Sequence, residues 1–179
     1  MVNLEVSNGY KIKTIEDNSL KEIERLIFEC SDYYKLCADA PPSKDDALEI
    51  FTALPPGKQY EDKYSLGVFN TSNRLIGVVD IVKNYPATGE WMLGLLLIKP
   101  NERSNGLGRT IHAGLVEWAR TNGAASIRIG VIEDNIKAEK FWFELGYVKI
   151  KTAVFEKKMK KSTVNVMRLD ICSIETEAT

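Results

Sequence analysis

Gly106 and Gly108, two residues apart and flanked by Arg103 and Arg109, are the residues whose types and spacing point most directly to chemistry. They follow the apolar run Leu95-Leu96-Leu97-Ile98 and the polar stretch Lys99 to Asn105. From Leu107 onward the pattern is helical. The first amides of a helix lack internal partners and carry the positive end of the macrodipole. A helix opened by glycines therefore offers a cradle for a phosphate or pyrophosphate. Arg103 and Arg109 would add full positive charge beside it. No Lys-Ser/Thr pair follows, and Ile111 stands where a dinucleotide fingerprint needs its third glycine. Spacing alone leaves open a plain strand–helix turn in which the glycines serve only the backbone.

Other reactive side chains are sparse. Cys30, Cys37 and Cys172 form no CxxC pattern and have no histidine cluster nearby, so neither a metal site nor a disulfide framework is expected. His112 is the single histidine, and a lone helical histidine reads as surface or packing.

The elements that must position the glycine loop follow from periodicity. Tyr10 to Ile15 alternates as a strand, and Ser19 with Glu22 reads as a capping box for a helix carrying Leu20, Ile23, Leu26 and Ile27. Tyr33 to Leu36 is ambiguous. Ser43 caps a second helix with Ala47, Leu48, Ile50 and Phe51, stopped by Pro55-Pro56-Gly57. Tyr64–Phe69 and Arg74–Asn84 form a hairpin around Asn70 to Asn73. Trp91 to Ile98 reads as a strand buried on both faces, with Gly94 marking a bulge or close backbone approach. A helix from Gly106 to Asn122-Gly123 presents Leu107, Ile111, Leu115, Trp118 and Ala119 on one face. A strand at 126–132, a helix at 135–145 and strands at 147–155 and 163–170 complete the order. The lysines at 157, 158, 160 and 161 are read as solvating the turn at 156–162, with a phosphate or partner contact as the other reading. Strand–helix–strand over Trp91–Ile132 demands a parallel crossover, while the hairpins are antiparallel. The expected class is α/β (α+β), one domain over residues 1–170 with a central mixed sheet flanked by helices, followed by a polar tail at 171–179.

A chain of 179 residues with 44% apolar and 27% charged residues is ordinary globular material, not a disordered or fibrous chain. Lys plus Arg is 24 and Asp plus Glu is 25, so a net charge of −1 speaks against non-specific nucleic-acid binding. No apolar run is long enough to cross a bilayer, and the N-terminal stretch lacks the apolar centre of an export signal. With unpaired thiols, this leads to an expected cytoplasmic location.

Arg103-Ser104-Asn105-Gly106-Leu107-Gly108 resembles the (Gln/Arg)-x-x-Gly-x-(Gly/Ala) acetyl-CoA loop of the GNAT-type N-acetyltransferases. Asn135-Ile136-Lys137-Ala138 through Leu145-Gly146-Tyr147 resembles the family's Asn-x-x-Ala…Leu-Gly-Phe signature. The resemblance implies direct transfer of an acetyl group from acetyl-CoA to an amine, without a metal. It implies that backbone groups of Leu96, Leu97 and Ile98 bind the pantetheine arm. The amides from Arg103 through Ser104, Asn105, Gly106, Leu107 and Gly108, with Arg109 and Thr110 behind, would hold the pyrophosphate. Asn135 would bond the pantetheine, and a strand amide at Gly94 or Leu95, with Leu95 preferred, would donate to the thioester carbonyl. Glu90 is the first candidate for general base, set against a solvated strand-end carboxylate; Asp80 is the second. Tyr33, Tyr34, Tyr60 and Trp91 mark a region for the acceptor.

The departure is Trp142, where many members carry a tyrosine that protonates the leaving thiolate. An indole N–H only donates a hydrogen bond, so Trp142 is expected as pocket wall and Tyr147 as packing. The resemblance leaves a second reading, an acyl-CoA-binding protein with a sensory or weakly catalytic role. A third makes the chain an interaction domain with a structural glycine loop. A homodimer through the C-terminal strands, with Thr163–Asp170 as the pairing edge, is also expected.

Overall fold

Residues 1–171 are described by a computed structural model of the protein. A short strand, Asn3–Glu5 (β1), pairs with Lys11–Thr14 (β2), whose alternation places Ile12 in the core. β1 is an addition to the sequence reading, which saw only a polar N-terminus. Three helices follow, Leu20–Glu29 (α1), Ser31–Ala38 (α2) and Lys44–Thr52 (α3). The expected capping box at Ser19 does not form. Ser19 has helical dihedrals at the end of a 3₁₀ turn, and its side chain caps nothing. Ser43 does cap α3, accepting from the Asp46 amide while Asp46 accepts from the Ser43 amide.

The remaining elements are Lys63–Phe69 (β3), Leu75–Val82 (β4), Glu90–Ile98 (β5), Leu107–Thr121 (α4), Ser126–Ile132 (β6), Ile136–Glu144 (α5), Val148–Lys157 (β7) and Lys160–Asp170 (β8). Together the strands form one sheet in the order β1-β2-β3-β4-β5-β6-β8-β7. Every neighbouring pair is antiparallel except β5 and β6.

Side-chain alternation gives the sheet two cores. Trp91, Leu93 and Ile98 of β5 and Ile127 and Ile129 of β6 pack under Leu107, Ile111, Leu115 and Ala119 of α4. On the other face Val78, Leu97, Val164 and Val166 meet Ile23, Leu26 and Ile27 of α1, Tyr34 and Cys37 of α2, and Ala47 and Ile50 of α3. β5 is less enclosed than its composition suggests: Gly94 is exposed and Leu95 and Leu96 are half-buried.

The β7–β8 hairpin departs from expectation in two ways. Its strands run on to a tight turn at Lys158 and Met159, and β8 lies between β6 and β7, so the outer edge belongs to β7. The expected pairing edge at 163–170 is therefore interior. Three of the hairpin lysines are fastened rather than solvated, while Lys161 is exposed beside Glu156. Lys157 bridges Asp46 and Glu49, Lys158 reaches Asp46, and Lys160 donates to the Leu36 carbonyl. Ile171, assigned to the tail, is buried and its amide bonds the Ala125 carbonyl; residues 172–179 lie outside the described residues.

Candidate active site

β5 and β6 pair only over Glu90–Met92 and Ser126–Arg128. Beyond Met92 they part, and among the described residues β5 keeps a strand partner only in β4. The β4–β5 register slips at one point, with Asp80 opposite Leu95 and Ile81 opposite Leu93, so Gly94 is the unpaired bulge residue expected. Opposed residues in an antiparallel pair alternate between bonded and non-bonded. The Lys99 amide bonds the Ile76 carbonyl. Counting back, Leu97 and Leu95 direct their backbone groups to β4, while Leu96 and Ile98 direct theirs into the gap. Of the three residues expected to offer backbone groups there, Leu97 faces away. Leu95, expected as the carbonyl donor, is turned toward Asp80.

The gap opens into a cavity of about 610 Å³. Ten of the twelve residues expected to bind the cofactor line it: Leu96, Leu97, Ile98, Arg103, Ser104, Gly106, Gly108, Arg109, Asn135 and Trp142. The other two have local roles. Leu107 is buried in the core, and Asn105 Oδ1 accepts from the Leu107 amide. The Thr110 amide bonds the Gly106 carbonyl. Gly108 and Arg109 thus hold the helix amides that have no intrahelical partner. Gly106 sits at φ +86°, which explains glycine there. Gly108 is glycine for contact: a Cβ would lie 3.2 Å from Phe141 Cζ, where α4 meets α5.

Arg103 is engaged elsewhere. Its Nε donates to the Ile98 carbonyl at 2.6 Å and its terminal amino groups pair with Asp32 of α2. This closes the near end of the gap and fastens α2 to the glycine loop. The adjacent Cys30 thiol, 3.6 Å from the same carbonyl, is pushed up to about 11 by burial. Lys137 lines the cavity and is a cation the sequence reading passed over. Its signal was its place two residues after Asn135. Asn135 itself caps α5, accepting from the Ala138 amide at 3.2 Å. Asp32, Leu36, Ala138 and Phe141 also line the cavity without having been foreseen.

Trp142 forms part of the wall, with Phe141 and Tyr147 packed edge-on against it. Tyr147 is fully buried, and its hydroxyl lies 3.0 Å from His112 Nε2. Burial, with a smaller contribution from Arg109, lowers His112 to about 4, so the imidazole is neutral. Neither residue lines the cavity.

Two carboxylates flank the bulge. Glu90 accepts from Arg128 Nε at 2.7 Å, both side chains mostly enclosed, and neither it nor Asp80 lines the cavity. Asp80 accepts from Lys63 Nζ at 2.6 Å, and its other oxygen lies 3.5 Å from where a Gly94 Cβ would stand. Burial raises the Asp80 carboxyl above the ordinary range against the opposing pull of Lys63. Of the aromatics expected near the acceptor, Tyr33 lines the cavity, Tyr34 is in the helical core and Tyr60 is exposed. Trp91 is buried on the opposite face against Tyr64 and Trp118, which removes it from the acceptor region. Among the described residues no group of three or more His, Cys, Asp or Glu is placed to hold a metal, and no helix is long and apolar enough to cross a membrane.

Comparison with known proteins matches this architecture. Residues 22–147 match the family model described as the acetyltransferase (GNAT) family. The chain is 24% identical over 116 residues to an uncharacterized N-acetyltransferase, YobR, of Bacillus subtilis (strain 168). That alignment covers 65% of this chain and 43% of the relative, so the chain spans less than half of that protein's length. An acetyltransferase structure from Thermus thermophilus superposes with a TM-score of 0.73 at 19% identity, covering 90% of this chain and 96% of that one. Spermidine N-acetyltransferase from Vibrio cholerae, solved with CoA and spermine, gives 0.70 at 19% identity, covering 90% and 95%.

Proposed function

The chain belongs to the acetyltransferase (GNAT) family, and from that premise we propose that it moves an acetyl group from acetyl-CoA directly to an amine of a small molecule or protein. The observation that carries this reading is the gap beyond Met92. It presents unpaired strand backbone and leads into a cavity floored by free helix amides.

The residues fit that donor. Leu96 and the Ile98 amide offer edge-type bonds to an amide-bearing arm, and the Gly108 and Arg109 amides suit a pyrophosphate. Lys137 supplies a further positive charge. Acetyl-CoA would supply a thioester, an acyl group already activated for attack. The amide at the Gly94 bulge, rather than that of Leu95, suits the thioester carbonyl.

Asp80 serves as general base in preference to Glu90. Both carboxylates are ion-paired, but Asp80 adjoins Gly94 and burial raises its carboxyl even against Lys63, whereas Glu90 lies four residues from the bulge on Arg128. One C–S bond breaks and one N–C bond forms. The proton shed by nitrogen passes to Asp80, and the departing sulfur takes one from solvent, since Trp142 cannot give it. A homodimer through the C-terminal strands would use β7, the outer strand of that hairpin.

Calorimetric titration with acetyl-CoA and with CoA tests the cofactor assignment; micromolar binding is expected, and none in folded protein refutes it. Thiol release with an amine panel separates catalysis from the sensory reading, which predicts binding without turnover. Asp80→Asn should lower kcat/KM by about 10²- to 10⁴-fold with acetyl-CoA binding unchanged. An equal loss only in Glu90→Gln would reverse the choice of base.

A further inference from the structure

Gly94 and Gly130 lie on the interior strands β5 and β6, yet both are exposed. A Cβ on Gly130 would meet nothing within 4 Å, and the nearest atoms to one on Gly94 would all belong to Asp80. Both face the side of the sheet covered elsewhere by α1, α2 and α3, so they floor an open recess beside the bulge. Along this face the apolar residues Val78, Leu97, Val164 and Val166 give way to charged ones. Asp80 stands on the β4 side.

On the far side are Arg128 and Arg168, directly opposite each other across β6 and β8. Like charges placed so are unfavourable unless anions serve them. Glu90 engages Arg128 through Nε, and Asp170 meets Arg168 at Nε (3.0 Å) and at one terminal amino group (3.5 Å). Among the described residues the terminal amino groups of Arg128 have no hydrogen-bond partner. Those groups form the fork that suits a carboxylate.

We propose that the recess takes an acceptor carrying both an amine and a carboxylate, a small amino acid, with the amine toward Asp80 and Gly94 and the carboxylate toward Arg128 and Arg168. This rests on the acyl-transfer reading above. The dimensions agree. Arg128 pairs with Met92, two residues from Gly94, which is about 7 Å along the strand and one strand spacing across. The reach of the arginine side chains shortens that to the span of one small molecule. A long polyamine offers nothing to the arginine pair.

The test is thiol release from acetyl-CoA with the free amino acids, their carboxamides, the matching decarboxylated amines and spermine. An amino acid should exceed its own carboxamide by about 10- to 100-fold in kcat/KM, the size of one charge-assisted contact. Arg128→Gln should erase that preference by raising KM for the amino acid, with acetyl-CoA binding unchanged. Arg168→Gln, at a more exposed position, gives the same readout if Arg128→Gln does not fold, and Arg128→Lys should restore part of the preference. Carboxamides or spermine used equally well, or an unchanged preference in both arginine variants, overturns the proposal. So does a panel with no turnover in protein that binds acetyl-CoA. Absent acetyl-CoA binding instead removes the acyl-transfer reading beneath it.

Discussion

Replacing His112 by glutamine measures how deeply the contact between α4 and the start of β7 is buried. His112 is almost fully enclosed, contacts the Tyr147 hydroxyl at 3.0 Å, and is held at about 4 against an ordinary 6.5. The folded state therefore keeps the ring neutral where the unfolded chain would protonate it. Because the folded value is depressed, the contribution is fully present above pH 6.5 and is lost as pH falls from there toward 4. One pKa unit corresponds to about 1.4 kcal/mol, so the total loss is roughly 3 kcal/mol, of which about 2 kcal/mol falls between pH 7.5 and 5.0. Few carboxylates titrate in that interval. Glutamine keeps a donor for Tyr147 and cannot charge. Urea unfolding at the two pH values should show wild type losing about 2 kcal/mol more than His112→Gln, or about 1 M in midpoint at an m-value near 2 kcal/mol/M. Equal losses in the two proteins would show that the imidazole protonates in the folded state, which would refute the burial argument.

Gly108→Val should lower the melting temperature and weaken acetyl-CoA binding together. Its Cβ would already stand 3.2 Å from Phe141, and overpacking of this kind costs about 1–3 kcal/mol; unchanged thermal unfolding would contradict the close α4–α5 approach. Asp46→Ala removes the shared acceptor of Ser43, Lys157 and Lys158 and should cost about 3 kcal/mol in chemical denaturation. Burial raises the Asp46 carboxyl, but those partners hold it below its ordinary value, so its contribution is present above pH 4 and lost below. The variant should accordingly show a flatter loss of stability on acidification below pH 4. Cys30 and Cys37 are buried, and burial raises both thiols. Maleimide adducts mapped by mass spectrometry should appear at neither residue until denaturant is added, and rapid native labelling at either would contradict their enclosure.

The glycine loop, the long helix after it and the neighbouring strands are legible in the chain because each rests on local chemistry. Gly106 answers a positive φ, Ser43 answers helix amides, and α4 repeats its apolar face within fifteen residues. Ser19 shows where local reading fails: a capping pattern is present, but a preceding 3₁₀ turn already occupies its backbone. Lys157 and Lys158 depart from the expected solvated turn for another reason, since Asp46 and Glu49 are more than a hundred residues away in the chain. Arg103 likewise read as an anion ligand because Asp32 is distant in sequence.

Residue order alone thus determined most of the succession of strands and helices, the glycine at which β5 bulges and the glycine-opened start of α4 at Gly106–Arg109, because periodicity, turn chemistry and helix ends act over a few residues. Tertiary structure alone decided which carboxylate stands beside the bulge, where Glu90 and Arg128 neutralise each other, and which backbone groups of β5 face the gap. Those choices depend on strand register and on side chains brought together across the sheet, and no local pattern records either.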